Sequence, residues 1–253
     1  SCRHQAAQTA ALIGIFNDAQ HIVRTGKKSD TSRGLTAFLI EHDRPGVTLA
    51  PHPPMLGLRG FSFGELILDK VTVPDSHIIG EVGDGLDVAY SSSVLYGRLN
   101  LAAVALGLHQ AALDQTTTYV NNRPRIAREG VVRARIGTIA SSLRTSRLAV
   151  YDAASRLDHG TPCDMDLVSA KYASVTAAQH ATALGMQTHG AAGLNTHLPM
   201  ERYFRDAQCV EPPAGTSDIQ LHRLAEDALT PHRHAQWSQR FTHPLTPPAL
   251  SPT

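Results

Sequence analysis

Apolar and polar positions alternate in short bursts over the first third of the chain and recur at helical spacing over most of the rest. An apolar run at 35–40 follows the turn-rich residues 27–34, and Val47-Thr48-Leu49 follows the breaker Arg44-Pro45-Gly46. Two more runs, 61–68 and Val71-Thr72-Val73-Pro74, sit among Gly, Pro and Asp punctuation. Short β-branched and apolar runs bounded in this way predict strands. Their regular spacing predicts a small barrel or sandwich over residues 1–82.

At Gly83-Asp84-Gly85 the period changes. From 86 to 122 there is no proline, and Leu95, Leu99, Ala102, Leu106 and Leu113 recur at helical spacing, which predicts one long helix stopped by Pro124. Further helices are predicted over 129–157, 164–188 (with Val168, Tyr172, Val175 and Thr182 on one stripe) and 217–229. Long helices with short connections make an antiparallel four-helix bundle over 83–230. The fold class expected is therefore α+β, mainly α: a small β module followed by the bundle. Residues 231–253 are rich in proline and poor in apolar side chains, and read as a disordered tail.

Composition narrows the function. The 253 residues carry 23 Lys and Arg against 22 Asp and Glu, a net charge of +1. That balance excludes a protein that coats nucleic acid, and it argues against a polybasic membrane anchor. The only lysines are Lys27, Lys28, Lys70 and Lys171. Cys2, Cys163 and Cys209 are scattered and lack CxxC spacing, so the chain reads as cytoplasmic, with neither a disulfide framework nor a thiolate zinc site. No apolar stretch nears the roughly 20 residues a bilayer span needs. The fourteen histidines, His180, His189, His232 and His234 among them, show no metal-ligand spacing, so no metal is expected. Ser91-Ser92-Ser93 has no GxSxG context to make a nucleophile.

A set of short words then stands out. Leu58-Arg59-Gly60, Glu65-Leu66, Asp69-Lys70-Val71-Thr72-Val73-Pro74, Ile79-Gly80 and Gly83-Asp84-Gly85 resemble the middle β domain of the acyl-CoA dehydrogenases and its exit into the C-terminal helices. Gly97-Arg98-Leu99-Asn100-Leu101-Ala102-Ala103 resembles that family's first C-terminal helix, and Gln187-Thr188-His189-Gly190-Ala191-Ala192-Gly193 its QxxGGxG turn. Glu201-Arg202-Tyr203-Phe204-Arg205-Asp206-Ala207 and Gly215-Thr216-Ser217-Asp218-Ile219-Gln220 resemble its two closing motifs. The resemblance implies a flavoprotein that holds FAD and dehydrogenates an acyl thioester, carried by CoA or a carrier protein, between Cα and Cβ. A carboxylate removes the α-proton, and hydrogen-bond donors polarise the thioester carbonyl.

The departures are as informative. The family's usual base position, before the closing Gly-Thr, holds Ala214; the alternative position, before the helix Arg, holds Gly97. Neither accepts a proton, which leaves Glu211 as the fallback base, with a solvated loop charge as its plainer reading. Arg123, Gln187, Gly190 and Thr216 align with cofactor contacts, but the Phe and Gly that follow the arginine in the family are Ile126 and Ala127 here, and the second Gly of the turn is Ala191. Arg123 reads equally as a cation at a helix C-terminus. Tyr96 and Arg98 are the candidate substrate contacts, with core packing and an ion pair as their respective alternatives. The resemblance covers the rear part of the family's subunit and lacks its N-terminal helical domain. Residues 11–17 echo only loosely the strand that lies under the flavin. The expectation is an FAD-dependent oxidoreductase that works with a neighbouring acyl-CoA dehydrogenase-like chain in a homo- or hetero-oligomer. The alternatives are a degenerate subunit that stabilises an active partner, and an oxygen-using flavin enzyme that needs no base.

Overall fold

The computed structural model describes residues 10–11, 18–27, 34–51, 53–60, 64–231 and 237–239. Residues 12–17 of the flavin-strand echo, Phe61-Ser62-Phe63, Cys2, His232, His234 and the proline run from 244 lie outside the described residues.

Among the described residues, six short strands form two antiparallel three-stranded sheets. One has the order β1 (Ala10–Ala11), β5 (Glu65–Leu68), β4 (Val47–Leu49); the other has β2 (Asp18–Arg24), β3 (Leu35–Glu41), β6 (Ile78–Ile79). In the second sheet Asp18 pairs with Glu41 and Arg24 with Leu35, and Ala37 pairs on its other side with Ile79. The strand predicted at 71–74 does not form. Pro74 has no N–H for a ladder, and the Thr72 carbonyl accepts a hydrogen bond from the Arg44 guanidinium at 2.8 Å. The chain pairs further on instead, at Ile78–Ile79.

Thr36 ties this module to the helices. It is fully buried, its hydroxyl lies 2.6 Å from that of Thr25, and it accepts the Gly83 N–H at 3.1 Å. Gly85 then starts α1 (Gly85–Ala89) so close to β3 that a Cβ there would lie 2.6 Å from the Thr36 nitrogen. That approach requires glycine.

The predicted long helix runs continuously into α2 (Gly97–Asn121), but residues Tyr90–Tyr96 widen into a π-helix. The Ser91 hydroxyl donates to the carbonyls of Asp87 and Val88, and that of Ser92 to Val88 at 2.9 Å. These bonds compete with the α-helical ladder and engage both hydroxyls. Pro124 ends the run by opening the one-turn α3 (Pro124–Ala127). Next come α4 (Gly130–Asp158), α5 (Asp164–His189), α6 (Met200–Cys209) and α7 (Ser217–Leu229).

On α4 the buried positions Val132, Ile139, Leu143, Ser146, Val150 and Ala153 fall at intervals of three, four and seven, as one stripe must. α5 is buried nearly all round, because α2 and α4 cover it on one side and α6 and α7 on the other. Its small residues permit this: a Cβ on Gly185 would lie 2.7 Å from the Met200 sulfur. Buried hydroxyls on these helices donate to carbonyls one turn back, Thr116 to Ala112 and Ser174 to Ala170, both at 2.7 Å. The bundle core gathers Leu95, Ala102, Leu106, Leu143, Val150 and Leu167.

The disordered tail expected from 231 on is corrected at 237–239. Both oxygens of the Asp164 carboxylate accept backbone N–H groups there, from Trp237 at 2.9 Å and Ser238 at 3.0 Å, and the Ser238 hydroxyl donates to the same carboxylate. The Trp237 ring stacks on Tyr90 with centroids 4.4 Å apart. An aspartate in the first turn of a helix and one aromatic face suffice to hold a segment that its composition marks as unstructured.

Replacing Gly85 by Ala should lower stability by about 1–3 kcal/mol, since both neighbours are backbone; an unchanged urea midpoint would show that the contact is not tight. His109 gives a pH dependence. It is fully buried and its Nε2 donates to the Ile139 carbonyl at 2.9 Å, which joins α2 to α4 and leaves Nδ1 without a partner. Burial, with Arg147 nearby, pushes its pKa below the ordinary 6.5. Below that value the unfolded chain binds a proton that the folded chain refuses, so stability present above it is lost on acidification. His109→Leu should reduce the fall in urea midpoint between pH 7.5 and 5.5; an equal fall in the variant would assign the effect elsewhere.

Candidate functional site

The loop between α6 and α7 is organised around one buried lysine. Lys171, in the N-terminal third of α5, is 1% exposed. Its ammonium donates to the carbonyls of Glu211 at 2.9 Å, Pro213 at 2.6 Å and Gly215. Three donors meet three acceptors, so no proton is left unpaired. Burial pulls its pKa down to about 8, which keeps it an ammonium at neutral pH. From the other side the fully buried Gln220 donates Nε2 to the carbonyls of Ala214 and Gly215, both at 3.0 Å. The loop is thereby held in an unusual shape, with Ala214 at φ 55 and Gly215 at φ 100.

This shape brings together Ala214 and Gly97, the two positions at which the family resemblance implies a base. A Cβ built on Gly97 would lie 3.7 Å from the Ala214 Cβ. A side chain on the helix and one on the loop would thus start from one point, and neither residue supplies a carboxylate. The Ala214 N–H makes no hydrogen bond with another described residue. Glu211 is engaged elsewhere: its Oε1 accepts the Ser217 N–H at 2.6 Å at the start of α7, where Thr216 is the capping residue and its own side chain forms no cap. That hydrogen bond ties the carboxylate to the N-terminal end of the helix.

Arg98 is 2% exposed, and no carboxylate of a described residue lies within ion-pair distance. Its Nε has no hydrogen-bond partner, and burial, with Arg223 nearby, lowers its pKa to about 10. The ion-pair alternative is therefore corrected: Arg98 is a buried cation next to the base position. Tyr96 is 56% exposed, so the packing alternative is corrected as well, because one turn of π-helix has rotated it out of the core.

The cofactor candidates form two groups. Arg123, Gln187 and Gly190 share one patch. The Tyr119 hydroxyl donates to the His189 carbonyl at 3.1 Å, and the Arg123 guanidinium lies 3.6 Å above the Tyr119 ring while Nη1 donates to the Tyr119 carbonyl. Gln187 and Gly190 are exposed, and a Cβ on Gly190, at φ 58, would meet nothing within 4 Å. An open glycine turn, an outward-facing amide and a guanidinium with donors to spare fit one face of a phosphate-bearing cofactor such as FAD. Thr216 belongs to the other group, two residues from Ala214. Among the described residues no three His, Cys, Asp or Glu side chains gather as metal ligands, and no helix is long and apolar enough to cross a membrane.

Sequence reasoning missed Lys171 and Gln220. The signal for Lys171 was available, since it is one of four lysines and lies inside an apolar, Ala-rich stripe.

The family model for the acyl-CoA dehydrogenase C-terminal domain matches residues 83–229. Human mitochondrial short-chain specific acyl-CoA dehydrogenase is 33% identical over 206 residues, covering 80% of this chain and 50% of that protein. A glutaryl-coenzyme A dehydrogenase solved with glutaryl-CoA superimposes with a TM-score of 0.83 at 32% identity, covering 88% of this chain and 58% of the other. Butyryl-CoA dehydrogenase from Megasphaera elsdenii gives 0.78 at 26% identity, with coverages of 88% and 63%. The chain spans about half the length of the curated relatives it matches.

Lys171→Met should orphan the Glu211 and Pro213 carbonyls, Gly215 keeping its bond from Gln220, and cost roughly 3 kcal/mol, given about 1–3 kcal/mol for an unsatisfied buried group. The specific readout is amide hydrogen exchange, which should accelerate over 211–220. Faster exchange elsewhere with this stretch unchanged would remove the lysine from its role.

Proposed function

Because the chain belongs to the acyl-CoA dehydrogenase family, we propose that it is the thioester- and flavin-binding portion of a dehydrogenase-type oxidoreductase whose proton-abstracting carboxylate comes from neither usual position. Members of the family are FAD-dependent, and bound FAD would supply the hydride acceptor. Gln187, Gly190 and Arg123 would hold the cofactor on the exposed patch, with Thr216 on the loop side. The unengaged Ala214 N–H would donate to the thioester carbonyl and lower the cost of negative charge developing on its oxygen. The acyl group, on CoA or a carrier protein, would lie beside Gly97, with Tyr96 and the buried Arg98 at its flank.

The observation that carries this reading is the meeting of Gly97 and Ala214 at one point with Glu211 tied to α7. At these two positions the backbones approach each other, and neither residue carries a carboxylate. A neighbouring chain of the same family is the natural source of that carboxylate, in a homo- or hetero-oligomer. The same observation favours a second reading, a subunit without turnover of its own that stabilises an active partner.

Ala214→Glu decides between them. With the protein loaded with FAD, anaerobic addition of butyryl-CoA should bleach the flavin band of the variant at least a hundredfold faster than that of the parent, the lower end of what a positioned base contributes. Glu211→Gln, which keeps the cap's acceptor oxygen, should leave the rate unchanged. A flavin-loaded Ala214→Glu variant that does not bleach would overturn the first reading, and a stable heteromer that never takes up flavin would establish the second.

A further inference from the structure

The segment 56–60 and helix α6 enclose a cavity of about 410 Å³ lined by Leu58, Arg59, Gly60, Arg202, Arg205 and Asp206. Its floor is rigid. The Leu58 N–H donates to Asp206 Oδ1 and Arg205 Nη1 donates to the Leu56 carbonyl, both at 2.6 Å. Gly57 presses so closely on α6 that a Cβ there would lie 2.6 Å from the Arg205 carbonyl carbon. These ties hold Leu58 at φ 48, a strained value for a leucine, and so fix the point from which Arg59 departs.

The charges around this floor do not cancel. Arg205 is neutralised by both oxygens of Glu201, at 2.7 and 3.1 Å, and Asp206 is occupied by the Leu58 N–H. That leaves Arg59 and Arg202, both exposed, with no hydrogen bond or ion pair to another described residue. Arg202 lies 5.4 Å over the Tyr203 ring, a contact that leaves its N–H groups free. Both side chains line the same cavity, and the Glu201 carboxyl beside it is held below its usual range by Arg205 first, with Arg59 and Arg202 adding to the effect. Against the Glu201 and Asp206 carboxylates the three arginines leave one formal positive charge in excess, which an anion in the cavity would offset.

We infer that this cavity binds a phosphoryl group, with the Arg59 and Arg202 guanidinia as its donors, and that the group belongs to the thiol carrier of the substrate. The second part rests on the thioester reading above. Guanidinium forks match phosphate oxygens in geometry, and a phosphate is common to free CoA and to the phosphopantetheine arm of a carrier protein.

Calorimetric titration of the protein and of its Arg59→Gln/Arg202→Gln variant with inorganic pyrophosphate, then CoA, tests this. The expected result is at least tenfold weaker binding of both by the variant at an unchanged melting temperature, and weaker parent binding at high salt. Arg59→Gln alone, which touches no structural contact, should give part of the loss. Displacement of pyrophosphate by CoA, or by a phosphopantetheine-loaded carrier protein, names the source. Pyrophosphate affinity equal in parent and variant would overturn the site, while CoA binding by the parent would leave the thioester reading standing. Pyrophosphate binding that the variant loses, yet neither carrier displaces, would overturn the carrier assignment and count against the thioester reading.

Discussion

Three backbone carbonyls of one loop converge on the Lys171 ammonium, and much of the site follows from that convergence. A loop with two adjacent prolines and two left-handed residues has little regular hydrogen bonding of its own. Left free, it would sample many shapes. A buried cation is unfavourable by itself, and the carbonyls make it tolerable; the carbonyls in turn are gathered only because the cation is there. Gln220 closes the loop from the opposite side, and Glu211 fixes its far end to α7. The position of the Ala214 backbone, and with it the meeting with Gly97, results from these three ties and not from any local preference of the loop.

The helices and the β module are joined by the same kind of device, in which backbone is brought into contact where a glycine permits it. Gly85 lies against β3, and Gly57 against α6. Each contact is reinforced by a polar pair across the junction: Thr36 with Gly83, and Asp206 with Leu58. The two modules therefore share an interface whose geometry is set by backbone atoms, which rotamer changes cannot shift.

Much of this architecture was legible in the residues. The stripes at Leu95–Leu106 and at Val168, Tyr172, Val175 and Thr182 placed two long helices, because periodic burial is a local signal. The closing words around Gly215 and Gln187 fall on the loop that Lys171 holds and on the turn that ends α5. What was not legible is long-range. Nothing near Val71-Thr72-Val73 says that Arg44 will engage its carbonyl and that Ile78–Ile79 will take its place in the sheet. The π-helix at Tyr90–Tyr96 turns Tyr96 outward, a register change that no α-helical count anticipates. The roles of Lys171 and Glu211 depend on partners forty and six residues away, and the helix α6 that binds the segment 56–60 is contacted across nearly 150 residues.

The strap at Trp237–Gln239 bears on how the bundle comes into being. Asp164 sits in the first turn of α5, and the groups that bond its carboxylate, together with the hydroxyl that accepts the Cys163 N–H, come from Trp237 and Ser238. On a ribosome, α5 is complete long before these residues emerge from the exit tunnel. Until they do, its first turn has an unpaired aspartate and Tyr90 lacks its stacking partner. The order of events is written into the topology: the central helix is made before the strap that completes its first turn, so native contacts around the most buried member of the bundle form after it has been synthesised.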